Sequence, residues 1–212
     1  MPQATIYTIK GTKNGRITLP SSLFNVKVNK DLLAQSVRTY LAGKRKASAK
    51  TKTRGEIKGS RRKIWPQKGT GRARHGDRYA PIFVGGGIAH GPTGEENYTL
   101  KFPKKMRRQA LGSALTFKLK EKKVLVVDSF EKVSPKTQKM VKILEGLGVF
   151  EKKGEKLLVL APKEKNAFLA SRNIVDVKPI VPTSLNPYQV LKAEKIIFSK
   201  DALSEIKKIF VK

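Results

Sequence analysis

The run KVLVVD at 123–128 decides the fold. Its four central residues are continuously apolar between Lys123 and Asp128, and such a run is typical of a strand buried on both faces of a sheet. Two more follow it, LLVLA at 157–161 and KIIF at 195–198. A weaker one lies over 174–177, with Ile180 and Val181 as its extension. Between them the apolar period changes from strand to helix. Residues 135–147 place Met140, Ile143, Leu144 and Leu147 on one stripe, and Gly148 stops it. Residues 164–173 and 187–193 read as short helices, and 201–211 closes the chain with Leu203, Ile206 and Phe210 inward. Strands alternating with helices predict an α/β class. The expected form is a three-layer α/β/α domain on a mostly parallel four-stranded sheet.

Upstream of this core, a helix is expected from about Pro103, with Met106, Ala110, Ala114 and Phe117 on one face and Leu111 and Leu115 beside them. Residues 4–19 read as short strands, with Asn14-Gly15 as the turn between them. Pro20 ends that pattern. Asn29 caps a helix over 30–42, whose stripe is Leu33, Val37, Tyr40 and Leu41 and whose stop is Gly43.

Residues 44–103 fit neither period. They hold many Gly, Lys and Arg and a few isolated large side chains: Ile64, Trp65, Tyr79, Ile82, Phe83 and Tyr98. A connection this long is functional or disordered, and the aromatic residues favour function. The sequence therefore predicts one globular domain from 1–43 and 104–212, with 44–103 inserted as an extended basic loop. Charge is concentrated there. Residues 44–108 carry 19 Lys/Arg against 4 Asp/Glu, a net of +15, whereas 109–212 carry 21 against 11, a net of +10.

The 212 residues have a formal net charge of +30. Such a chain repels itself when folded and calls for a polyanionic partner. There are no cysteines, which excludes disulfides and thiolate metal sites. The start MPQATIYTIKG has no apolar leader segment, and no apolar run reaches 18 residues, so a soluble cytosolic protein with no membrane partner is expected.

Enzyme chemistry finds no support. Gly69-Thr70-Gly71 continues as Arg72-Ala73-Arg74, and Gly85-Gly86-Gly87 continues to His90 without the third glycine of a dinucleotide fingerprint. Asp128 at a strand end could serve as a ligand, but reads first as a turn cap. His75 and His90, the two histidines, have no Cys or carboxylate cluster beside them, so no metal and no cofactor is expected. No Ser/His/Asp grouping is suggested.

Nucleic-acid chemistry is present. Lys and Arg neutralise phosphates, glycines allow close backbone approach, and Trp65, Tyr79, Phe83 and Tyr98 can stack on unpaired bases. Ile82, Phe83 and Val84 fit equally well as a pin holding the loop to the core or as RNA contacts. Six basic residues fall between Arg61 and Arg74. The helix after Pro103 opens on Lys104, Lys105, Arg107 and Arg108, at the end where the helix dipole disfavours cations. Cations placed there point to an external anion. The candidate RNA-binding set is Lys44, Arg45, Lys46, Arg54, Arg61, Arg62, Lys63, Trp65, Gln67, Lys68, Gly69, Thr70, Gly71, Arg72, Arg74, His75, Arg78 and His90 in the loop, with Lys104, Lys105, Arg107 and Arg108 on the helix.

WPQKGTGRAR at 65–74, APIF at 80–83, GGG at 85–87, HGP at 90–92 and PKKMRRQAL at 103–111 together resemble the bacterial-type L-four family of large-subunit ribosomal proteins. The resemblance covers essentially the whole chain. It implies a structural protein of the large subunit that binds large-subunit ribosomal RNA early in assembly, beside neighbouring large-subunit proteins. It also implies a loop tip, at Trp65, Gln67, Lys68 and Gly69, that helps line the nascent-peptide exit tunnel near the macrolide-binding region. The nascent peptide is then a partner at that tip. Pro66 stands where relatives usually carry a basic residue, which removes one phosphate contact and stiffens the tip. Some members also repress their own operon or bind a ribonuclease. The alternative reading is an RNA-binding regulator acting off the ribosome.

Overall fold

The computed structural model describes residues 1–150 and 153–210. The chain divides into two compact units, residues 1–40 with 101–212, and residues 41–100. In the first unit the strands are β1 (Gln3–Tyr7), β2 (Lys13–Thr18), β3 (Val124–Val127), β4 (Lys156–Val159), β5 (Val177–Ile180) and β6 (Lys195–Ser199). The helices are α1 (Ser21–Phe24), α2 (Lys30–Lys44), α3 (Lys104–Lys120), α4 (Thr137–Gly146), α5 (Lys165–Ser171), α6 (Pro187–Lys192) and α7 (Lys200–Phe210). A 3-10 turn, Pro182–Ser184, precedes α6.

The α/β class holds, and the sheet is larger than expected. It has six strands in the order β2-β1-β3-β6-β4-β5. Strands β3, β6, β4 and β5 are the four expected ones, mutually parallel. The N-terminal hairpin extends them: β1 lies parallel to β3 through Ile6↔Val126 and Tyr7↔Val127, and β2 is the antiparallel edge. The reason is burial. Ala4 and Ile6 are buried on β1, so this strand needs a neighbour beyond its own hairpin partner.

The hairpin also reverses elsewhere than expected. Its turn lies between Thr8 and Thr12, closed by the Thr8 N–H to Thr12 O bond at 2.8 Å. Asn14-Gly15 instead lies inside β2, where the register slips between Thr5 and Tyr7. Gly15, at φ 85°, supplies the positive backbone angle of a bulge rather than of a turn.

Each central strand feeds two cores by alternation. Val124 and Val126 of β3, Leu157 and Val159 of β4, and Ile196 and Phe198 of β6 face one side. There they meet Phe24 of α1, Leu33 of α2, Leu111 and Leu115 of α3, Val190 of α6 and Ile206 of α7. Val127, Leu158 and Ile197 face the other side, against Met140 and Leu144 of α4 and Ala167 and Ala170 of α5. Phe24 and Phe198 meet edge to face at 6.1 Å.

Boundaries moved where turns intervene. The third parallel strand is Val177–Ile180, not 174–177, because Asp176 takes φ 65° and breaks extension just before it. The α2 stripe is Leu32, Leu33 and Ser36, and Leu41 is exposed. Pro103 is the cap before α3 rather than its first residue. The expected end of the last helix at Val211 lies outside the described residues.

A buried carboxyl group ties the strand ends together. Glu164 accepts the N–H of Phe130 and of Ala161, both at 2.7 Å, and is 1% exposed. The two N–H groups follow β3 and β4, at the ends where parallel sheets commonly hold ligands. Here the chain's own carboxylate takes them. Asp128 sits beside Lys200 at 3.7 Å, and its backbone N–H donates to Tyr7 O.

Candidate nucleic-acid interface

Residues 41–100 form a two-armed loop held by rungs. Thr51 N–H donates to Pro92 O, Ile88 N–H to Lys52 O and Ile64 N–H to Gly76 O, each at 3.0 Å. The last rung is a side chain: the Trp65 indole N–H donates to Ala73 O at 3.0 Å. These pairs converge on the segment between Pro66 and Arg72, where the chain reverses. Gly69 at φ 89° and Gly71 at φ 62° supply the left-handed backbone that the reversal needs. Their sequence neighbours Gln67, Lys68 and Thr70 are exposed.

Below the reversal, rings pack on one another. His75 lies edge-on to Trp65 at 5.5 Å and to Phe83 at 5.0 Å. The Arg72 guanidinium stands over the Trp65 ring at 5.5 Å. Lys63 Nζ donates to Gln67 Oε1 at 2.7 Å and to His75 O at 3.0 Å. Trp65 thus has its polar handle and one ring face engaged within the loop. At the base of the arms, Arg45 stacks over Tyr98 at 3.9 Å. Midway, Gly87 is the one buried residue of this unit, and a Cβ on it would come within 2.2 Å of the Arg54 backbone nitrogen. Phe83 is half-buried in this stack, whereas Ile82 and Val84 are exposed, at 71% and 101%.

The charges divide by sign. Every Lys and Arg from Lys44 to Arg78 is exposed, including Lys46, Arg61, Arg62, Arg74 and Arg78, and so is His90. Three of the acids are instead engaged by the loop's own groups, at its surface. Glu56 accepts the N–H of Thr53 at 2.8 Å and its hydroxyl at 3.1 Å. Glu96 repeats the arrangement on Thr93, at 2.7 and 3.3 Å. Those bonds, the backbone N–H first, hold both carboxyls below the usual glutamate range. Asp77 pairs with Arg54 at 3.1 Å. Of the four acids, only Glu95 has no such role for its carboxylate.

A second cluster of cations lies on α3. Lys104, Lys105, Arg107 and Arg108 are exposed in its first two turns, with no acid in the first turn and no side-chain cap. Four cations around the positive end of a helix dipole create a strong local anion preference.

Sequence reasoning did not find the organising acids Glu56, Asp77 and Glu96. A signal existed for two of them. Thr53 to Glu56 and Thr93 to Glu96 share the T-x-x-E spacing with which a carboxylate reaches back to the threonine backbone. No group of three or more metal-ligating side chains occurs among the described residues. No helix among them is long and apolar enough to cross a membrane.

A model of the Ribosomal protein L4/L1 family matches residues 17–209. Relatives described as large ribosomal subunit protein uL4 align along nearly the full chain. That of Thermoanaerobacter sp. (strain X514) is 41% identical over 210 residues, covering 99% of this chain and all of the relative. That of Symbiobacterium thermophilum is 42% identical over 209 residues, covering 99% of each. That of Natranaerobius thermophilus is 39% identical over 210 residues, covering 99% of this chain and all of the relative.

Proposed function

This chain belongs to the ribosomal protein L4/L1 family, and from that premise we propose that it binds large-subunit ribosomal RNA through the loop and through the first turns of α3. It is a structural constituent of the large ribosomal subunit, in the cytoplasmic ribosome, and not an enzyme. Its partners are ribosomal RNA and neighbouring ribosomal proteins.

The observation that carries the RNA reading is the division of charge by sign. The loop turns three of its four carboxylates onto itself and presents its cations outward. Phosphates that repel one another can then close around it, each neutralised by an exposed Lys or Arg. The mechanism is charge neutralisation with wedging: RNA segments pack together on a slender protein arm. Binding belongs to early assembly, because a loop threaded between RNA segments is most readily placed before they close. The reversal at Gly69 to Gly71 is the far end of the arms. We assign it, with Trp65, Gln67 and Lys68, to the wall of the nascent-peptide exit tunnel.

The test replaces the native protein with variants. Arg72→Glu with Arg74→Glu lowers incorporation into the large subunit, read as subunit yield on a gradient. Lys68→Glu incorporates and changes macrolide sensitivity. Full incorporation of the double variant overturns the RNA role of these arginines. An unchanged macrolide response with Lys68→Glu incorporated removes Lys68 from the tunnel. In binding assays, six phosphate contacts give a slope of log K against log salt of roughly −4 to −5. A slope near −1 means that stacking, not phosphate, dominates.

A further inference from the structure

We propose that Arg54 and Asp77 form a composite RNA subsite in which the phosphate goes to Arg54 and a ribose 2′-hydroxyl to Asp77. The inference rests on the RNA-binding reading above and adds a residue that discriminates RNA from DNA. Four observations carry it. Arg54 Nη2 and Asp77 Oδ2 are 3.1 Å apart, so each holds the other in place. The arginine side chain is 65% exposed and the aspartate 13%. Asp77 Oδ1 is covered and receives no hydrogen bond from any described residue. The Arg54 backbone is fixed, because it lies against the glycine at 87 with no room for a side chain.

A covered carboxylate oxygen without a donor is unfavourable, so the closed pair is not the best arrangement of these two groups. Among exposed cations, a lone acid also repels the phosphates that the loop attracts. Both problems end when RNA arrives. Phosphate competes for the guanidinium, whose planar fork matches its oxygens. Asp77, released from Arg54, turns outward and needs a donor. A phosphate cannot donate. The 2′-hydroxyl can, and it lies next to the phosphate in every ribonucleotide and is missing from DNA. Asp77 therefore opposes bare polyanions and accepts RNA. The other acids of the loop cannot serve in this way. Glu56 and Glu96 are committed to Thr53 and Thr93, and Glu95 has no ion pair to open.

The experiment uses the full chain and two single-stranded oligomers of one mixed sequence, one RNA and one DNA. Affinities are measured for the wild type, Asp77→Ala, Asp77→Asn and Glu95→Gln. Glu95→Gln removes one loop charge without touching the pair. The expected result is that Asp77→Ala lowers the RNA-to-DNA affinity ratio by about tenfold, the size of one hydrogen bond to a charged group. Asp77→Asn keeps an acceptor oxygen and retains most of the ratio. Glu95→Gln raises both affinities together and leaves the ratio alone. A ratio unchanged by Asp77→Ala, or changed equally by Glu95→Gln, overturns the assignment. Binding of the wild type to large-subunit ribosomal RNA is read in parallel. Failure there counts against the ribosomal reading, whereas an unchanged ratio counts against Asp77 alone.

Discussion

The two units of this chain are held together by different physics. In the α/β unit, stability comes from area: Val126, Leu158, Ile197 and Phe198 are wholly buried and face two separate cores. In the loop, Gly87 alone is buried, and order comes from rungs, ring edges and two carboxylate-to-threonine turns. Burial of a large apolar side chain contributes about 1.5–3 kcal/mol, while ordering a residue's backbone costs roughly 1–2 kcal/mol. The first unit can meet that cost by itself. The second buries too little to meet it, and its order is expected to be completed by its RNA partner.

The comparison breaks most visibly if the loop is removed. Deleting 54–91 is expected to leave a cooperatively unfolding domain, because no buried residue of either core is lost and closure entropy changes slowly with loop length. The same deletion abolishes incorporation into the large subunit. In the intact free chain, limited proteolysis cuts first between about Lys44 and Lys101 and leaves the α/β unit whole. A loop that resists protease without RNA, or a deletion protein with no cooperative transition, breaks the distinction drawn here.

Single substitutions sharpen it on a smaller scale. Phe198→Ala removes a wholly buried ring that meets Phe24, and is expected to cost about 3–5 kcal/mol in denaturant unfolding. Val84→Ala, at a fully exposed loop residue, is expected to stay within about 0.5 kcal/mol. Equal losses would mean that the loop contributes to a core.

This asymmetry also governs what the sequence reveals. Strands β3, β4 and β6 are legible because a strand buried on both faces leaves an unbroken apolar run. The place of β1 is not, since Ala4 and Ile6 alternate with polar neighbours and look like an ordinary hairpin; their pairing with β3 is a tertiary choice. Asn14-Gly15 has the chemistry of a turn, and the chain uses the same positive φ for a bulge. Helix α1, four residues long, is too short to show a period. The exposed cations are legible from composition, because charge needs no fold to be read. The way Trp65, His75 and Phe83 pack is not, since it depends on which arm residues face each other across the reversal.

The smallest expected effect is a pH dependence confined to the loop. Thr53 N–H and hydroxyl bond the Glu56 carboxylate, and Thr93 does the same for Glu96, so both acids titrate below the ordinary glutamate value of about 4.3. A carboxyl whose pKa is depressed in the ordered state supports that state above the ordinary value. The support is lost as pH falls through the depressed one. Both groups are on the surface, so the α/β unit's unfolding does not register the change. The local readout is the amide resonance of Thr53 and of Thr93 followed through acid titration, with midpoints expected below the ordinary glutamate value. Thr53→Ala removes the hydroxyl but keeps the backbone donor, the larger cause, so the Glu56 midpoint rises only part of the way. Thr93→Ala likewise raises the Glu96 midpoint only part of the way, since the hydroxyl ranks behind two backbone bonds there. Midpoints at or above the ordinary value would show that the turns do not hold in the free chain. The loop would then owe even its local order to RNA.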